Sequence, residues 1–229
     1  MNNLNSICQL LSLERWDPRD SVASQKSESS ESCISRPPEW STLEQAVANC
    51  TACPLHETRT QTVFGVGNRQ ASLMLIGEAP GFHEDQKGEP FVGRAGQLLN
   101  AMLQTIGFNR SDIFITNILK CRPPNNRDPR PEEIAACTGF LHQQISLVKP
   151  RLLLAVGRIA AQYLLATKST LGKLRNQLYE YKPLGVPLIV TYHPAYLLRN
   201  PADKKKAFAD LLFTKEKLES LSQKDTCLT

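Results

Sequence analysis

The sequence holds no run approaching the roughly 18 apolar residues that a membrane-spanning helix requires. Its first residues also lack the basic stretch, apolar core and cleavage site of an export signal. Both absences predict a soluble, cytoplasmic protein with no membrane association. No internal repeat is visible, so the chain reads as one unit and not as an array. An even cysteine count is missing too. Seven cysteines in a chain without an export signal argue against a disulfide framework and for metal binding or catalysis.

What is present fits one globular domain with a tail: 229 residues, 41% hydrophobic and 21% charged. The net charge of +5 is unevenly spread. Residues 1–49 carry four Lys and Arg against seven Asp and Glu, a net −3, whereas residues 50–229 carry 23 against 15, a net +8. A basic domain suits a polyanionic partner such as nucleic acid, although basic proteins that bind none are common.

Residues 17–39 are rich in Ser, Glu and Asp and end near Pro37-Pro38, a composition too poor in apolar surface to offset chain entropy. They read as a linker. Leu4, Ile7, Leu10, Leu11 and Trp16 before them can line one face of a short helix, against the simpler alternative of a frayed tail. The expected division is an N-terminal extension at 1–40, a domain at 41–220 and a tail at 221–229.

From residue 40 the pattern becomes regular, with Ser41 or Thr42 opening a helix that runs towards Cys50. Four short apolar runs follow, at 73–76, 113–116, 152–156 and 188–191. Each is nearly continuous, as a strand buried on both faces must be. Helical patterns lie between them at 94–106, 131–147 and 158–166, with another at 202–220. The alternation predicts an α/β fold, a four-stranded parallel sheet with helices on both faces. Gly77-Glu78-Ala79-Pro80-Gly81, Asn117, Gly157 and Tyr192-His193-Pro194 then fall at strand ends, where open α/β sheets bind ligands.

Cys50 and Cys53 form a C-x2-C pair, Cys121 follows the second strand and Cys137 lies on a predicted helix. Together they offer a four-sulfur shell. Spacing alone leaves zinc and an iron–sulfur cluster open; the wide separation of the second pair leans towards [4Fe-4S]. Cys121 and Cys137 as plain core residues is the other reading. Cys8, Cys33 and Cys227 sit in the tails. Lys120, Arg122, Arg127 and Arg130, spaced by prolines, form a stiff cationic loop suited to phosphates or simply to solvent.

The stretch GEAPGFHEDQKGEPFVGRAG at 77–96, ITN at 115–117, HPAYLLR at 193–199 and the four cysteines together resemble the family 4 uracil-DNA glycosylases, over about residues 43–218. The resemblance implies the three-layer α/β/α fold of those enzymes, a [4Fe-4S] cluster on Cys50, Cys53, Cys121 and Cys137, and a monomer acting on uracil-containing DNA, single- or double-stranded. It implies release of uracil from deoxyuridine, the opening step of base-excision repair. A base must leave the stack to be attacked. By the family pattern Phe91 would stack on uracil, Asn117 would pair with its edge, and backbone around Gly77, Ala79 and Gly81 would close the wall. His193 would donate to O2, and Glu78 would orient water or stabilise the sugar cation, with Glu84 and Asp85 as further carboxylates. Related family 1 enzymes carry Gln at the Glu78 position and a water-activating Asp at that of Ala79, so their mechanism does not transfer. Leu197 is favoured over Tyr196 and Leu198 to fill the vacated stack, with Arg199, Lys120, Arg122 and Arg127 on phosphates.

A related group bonds covalently to its product through a histidine after the second strand. CRPPNNRDPRPEE at 121–133 has none. The alternatives from other classes are a non-catalytic, cluster-bearing DNA-binding module, joined to a replication or repair assembly through residues 1–40, and a zinc-stabilised nucleotide-binding protein.

Overall fold

The structure, a computed structural model, describes residues 39–226, with side chains through residue 223. Residues 4–16, read as a short helix or a frayed tail, the linker at 17–39 apart from Glu39, and Cys8, Cys33 and Cys227 lie outside the described residues.

The four expected strands form as β2 (Leu73–Gly77), β3 (Phe114–Asn117), β4 (Leu152–Val156) and β6 (Val186–Thr191). Every residue of the first three is buried, which accounts for their unbroken apolar sequence. They pair in parallel, and two short edge strands, β1 (Val66–Gly67) and β5 (Tyr179–Tyr181), add antiparallel to the two sides. The sheet order is β1-β3-β2-β4-β6-β5.

Alternate residues divide the core. Met74, Ile76, Leu153 and Ala155 pack with Leu141 and Ile145 of α4 (Pro131–Val148) and with Ala160 and Leu164 of α5 (Arg158–Leu164). Leu73, Leu75, Leu152 and Leu154 pack with Leu99 and Leu103 of α3 (Arg94–Gln104) and with Leu211 and Leu218 of α8 (Lys204–Thr226). This is the expected three-layer arrangement. Helix α8 runs to Thr226, beyond the expected limit at 220. The remaining helices are α1 (Trp40–Ala48), α2 (Phe82–Lys87), α6 (Leu171–Leu174) and α7 (Pro194–Arg199). Among the described residues no helix is long and apolar enough to cross a membrane.

Strand β2 is flanked by β3 on one side and β4 on the other, so the chain reverses its direction of progress across the sheet there. A crevice opens at the carboxyl ends of strands at such a reversal. The far end of β6 is fixed by Asp210 of α8, which accepts from Thr191 Oγ1 at 2.9 Å and from Arg175 through both carboxylate oxygens at 2.7 Å.

Candidate active site

Asn117 and Gly77 are register partners at the ends of β3 and β2. A Cβ on Gly77 would stand 2.3 Å from Asn117 Oδ1 and 2.8 Å from Phe91 Cζ, so only glycine lets these two side chains close on the same space. Glu78 and Ala79 continue from β2, and His193 caps α7 directly after β6. Glu78, Ala79, Gly81, Phe91, Asn117 and His193 together line one cavity of about 410 Å³, with Arg199 at its edge. The fold therefore brings these residues to one place.

Phe91 is buried at φ 54°, a left-handed conformation that disfavours side chains. Its neighbours hold it there. Glu84 Oε1 accepts from the Val92 and Gly93 amides at 2.9 and 3.1 Å, and Arg110 donates to the Phe91 carbonyl at 3.4 Å. A Cβ on Gly96 would stand 1.7 Å from that carbonyl oxygen, so glycine is required where α3 passes beneath. Glu84 is thus a brace for Phe91. Asp85 accepts from the Thr60 amide at 3.0 Å and is buried away from the cavity.

His193 Nδ1 accepts from the Ala195 amide at 3.1 Å. That bond places the ring proton on Nε2. Burial pulls the imidazole down to about 4, with Arg199 adding to the fall and Glu84 opposing it, so the ring is neutral near pH 7. Its centroid lies 5.6 Å from that of Phe91. Burial pushes the Glu78 carboxyl up to about 7, with Asp128 adding to the rise and Arg158 opposing it. Asp128 and Arg158 pair at 2.8 Å. Glu78, His193 and Arg199 also line an adjoining groove of about 500 Å³ with Arg158, Gly157 and Tyr192.

Asn117 is 3% exposed. Among the described residues no hydrogen bond occupies its side-chain amide, while its backbone carbonyl accepts from Lys120 Nζ at 2.6 Å. Lys120 corrects the sequence reading. It is 1% exposed and also donates to Thr116 Oγ1 and Gln144 Oε1, each at 2.7 Å, so it braces Asn117 from within and has no path to a phosphate. Leu197 is a second correction: fully buried against Tyr192 and Ala207, it supports α7 and cannot enter a base stack. Tyr196 and Leu198 of the same helix are partly exposed. Arg127 lines the cavity, yet its guanidinium is engaged by Glu133 through both oxygens. Arg122 donates to Asn126 Oδ1 at 2.7 Å, and Arg199 is exposed.

Cys50, Cys53, Cys121 and Cys137 line one small cavity between α1, α4 and the segment after β3. Arg59 donates to Cys121 Sγ at 3.0 Å and the Lys120 amide to Cys137 Sγ at 3.3 Å. Both donors favour thiolate, against the burial that raises Cys121 and pushes Cys137 up to about 11. Among the described residues no three His, Cys, Asp or Glu side chains are grouped to hold a single metal ion.

The sequence motifs missed Arg110 and Gln144 as supports of the site, because Arg110 reaches Phe91 across 19 positions and Gln144 meets Lys120 across 24.

Comparison with known proteins places this geometry. Residues 64–214 match the model of the uracil DNA glycosylase superfamily. The chain is similar to the type-4 uracil-DNA glycosylase of Archaeoglobus fulgidus, 44% identical over 174 residues covering 73% of this chain and 87% of the relative. That of Thermotoga maritima is 42% identical over 184 residues, covering 80% and 94%. A type-5 uracil-DNA glycosylase of Thermus thermophilus is 31% identical over 149 residues, covering 57% and 68%.

Proposed function

The chain belongs to the uracil-DNA glycosylase superfamily, and we infer that it hydrolyses the N-glycosidic bond of deoxyuridine in DNA, releasing uracil and leaving an abasic site for base-excision repair. The observation that carries this reading is the convergence of Asn117, Phe91, His193 and Glu78 on one cavity at the strand ends.

A flipped uracil fits the chemistry of each wall. Asn117 can donate from its amide nitrogen to O4 and accept N3–H on its oxygen; cytosine presents the reverse pattern. Phe91 offers its face to the ring. Glycosidic cleavage leaves positive charge on the sugar and negative charge on uracil. The neutral Nε2–H of His193 therefore has a donor ready for O2 as that oxygen gains charge. Glu78, His193 and Arg199 border both the cavity and the adjoining groove, which supports the sugar lying at the junction with the DNA backbone in the groove. There the Glu78 carboxylate can orient water and offset charge on the sugar.

The useful form of Glu78 is ionised, so activity should rise with pH through about 7. His193 adds no titration in that window, being neutral above about 4. A rate profile between about pH 6 and 8 checks this: Glu78→Gln is expected to flatten the rise, and a flat wild-type profile removes Glu78 from that role.

The four thiols fit a [4Fe-4S] cluster. Four cysteines line one shared cavity, with a guanidinium and an amide directed at two of the sulfurs, a donor set that suits a thiolate-held cluster. A cluster supplies cross-linking, tying the start of the domain to the segment that follows Asn117. Purified protein is expected to be brown and to contain iron, and Cys137→Ser to lose both colour and thermal stability. Zinc in place of iron refutes the cluster.

The activity itself is tested with an oligonucleotide carrying a single deoxyuridine. Alkali should break the strand at that position after incubation with the protein. An intact strand contradicts the reading.

A further inference from the structure

Phe82 opens α2 immediately after Gly81, which borders the cavity, yet Phe82 is 52% exposed. The ring is held all the same. The Arg122 guanidinium lies over it, 5.1 Å from the centroid, and His83 meets it edge-on at 5.5 Å. Arg122 is itself tied to Asn126, and Asn126 lines the same cavity. Among the described residues the other exposed large apolar side chains, Leu178, Leu184, Phe208 and Leu212, border neither this cavity nor the groove.

A rigid aromatic plane beside a guanidinium is what an unpaired base stacks on, whatever its identity, because every base has a π face. Flipping a nucleotide breaks the stacking of its neighbours and leaves one such face open at the mouth of the pocket. We infer that Phe82, fixed by Arg122, forms a stacking subsite for the unpaired base adjacent to the uracil. The subsite rests on the uracil-releasing reading and adds to it: it binds without sequence preference and matters most on single strands, where no complementary strand holds the neighbour.

The test compares wild type with Phe82→Ala, and with Phe82→Trp, which keeps the plane. Substrates are single strands with one deoxyuridine, flanked either by ordinary nucleotides or by base-free spacers on both sides. On ordinary strands Phe82→Ala is expected to lower kcat/KM about tenfold, with Phe82→Trp near wild type. On spacer-flanked strands wild type should fall by a similar factor and Phe82→Ala should fall no further. An equal loss on both strands, or no loss on either, overturns the subsite. Because the side chain is exposed, unchanged melting checks that the variants fold. A 2-aminopurine placed beside the uracil gives a readout independent of cleavage: its fluorescence should be quenched on binding wild type and less so with Phe82→Ala. If wild type released no uracil, the parent reading would fall, and equal quenching by both proteins would still overturn the subsite.

Discussion

Replacing His193 by Ala is expected to lower kcat about 100- to 1,000-fold, the cost of removing one donor aimed at a developing oxyanion. KM should change little, since the charge on O2 arises in the transition state. The geometry behind this is specific. Gly157, at φ 96°, lets the imidazole approach β4 so closely that a Cβ there would stand 2.9 Å from His193 Cβ. The Ala195 amide then fixes the tautomer. His193 is also the N-cap of α7, so Ala removes a helix cap worth about 1 kcal/mol. His193→Asn separates the two roles. Asn keeps a capping oxygen and should restore the melting temperature, yet it does not reach the Nε2 position and should leave kcat low. Recovery of kcat along with stability would make His193 a structural residue.

Exchanging Asn117 for Asp is expected to reduce uracil release about 100-fold or more, because an ionised carboxylate cannot donate to O4 and its charge is buried beside the base. The ratio of uracil to cytosine release should collapse, since the amino group of cytosine can donate to the new oxygen. Only the side chain changes. The Asn117 carbonyl remains held by Lys120, so the strand end should stay in place. Parallel assays on strands carrying uracil or cytosine measure the ratio; an unchanged ratio would show that another group reads the base edge.

The sheet was legible because β2, β3 and β4 are buried on both faces and so read as unbroken apolar runs. Strands β1 and β5 were not, having two and three residues and an edge position that imposes no such pattern. The cavity residues were legible as motifs at strand ends. Their supports were hidden by distance in sequence. Lys120 looks like one more cation of a basic loop until Gln144, 24 positions away on α4, is seen to accept from it. Glu84 and Asp85 look alike as neighbouring carboxylates, yet one grips the amides after Phe91 and the other the Thr60 amide. Leu197 and Leu198 are equivalent in composition. Only the rotation of a six-residue helix decides that the first is buried and the second partly exposed.

The central claim is that the cavity bounded by Asn117, Phe91, His193 and Glu78 takes uracil in preference to cytosine. Chromatographic identification of the free base tests it most directly. Wild-type protein is incubated with strands that differ only in carrying uracil or cytosine at one position. Free uracil from the first strand, in step with abasic sites and with no base from the second, is the predicted result. Release of no base from either strand, or of cytosine at a comparable rate, would contradict it.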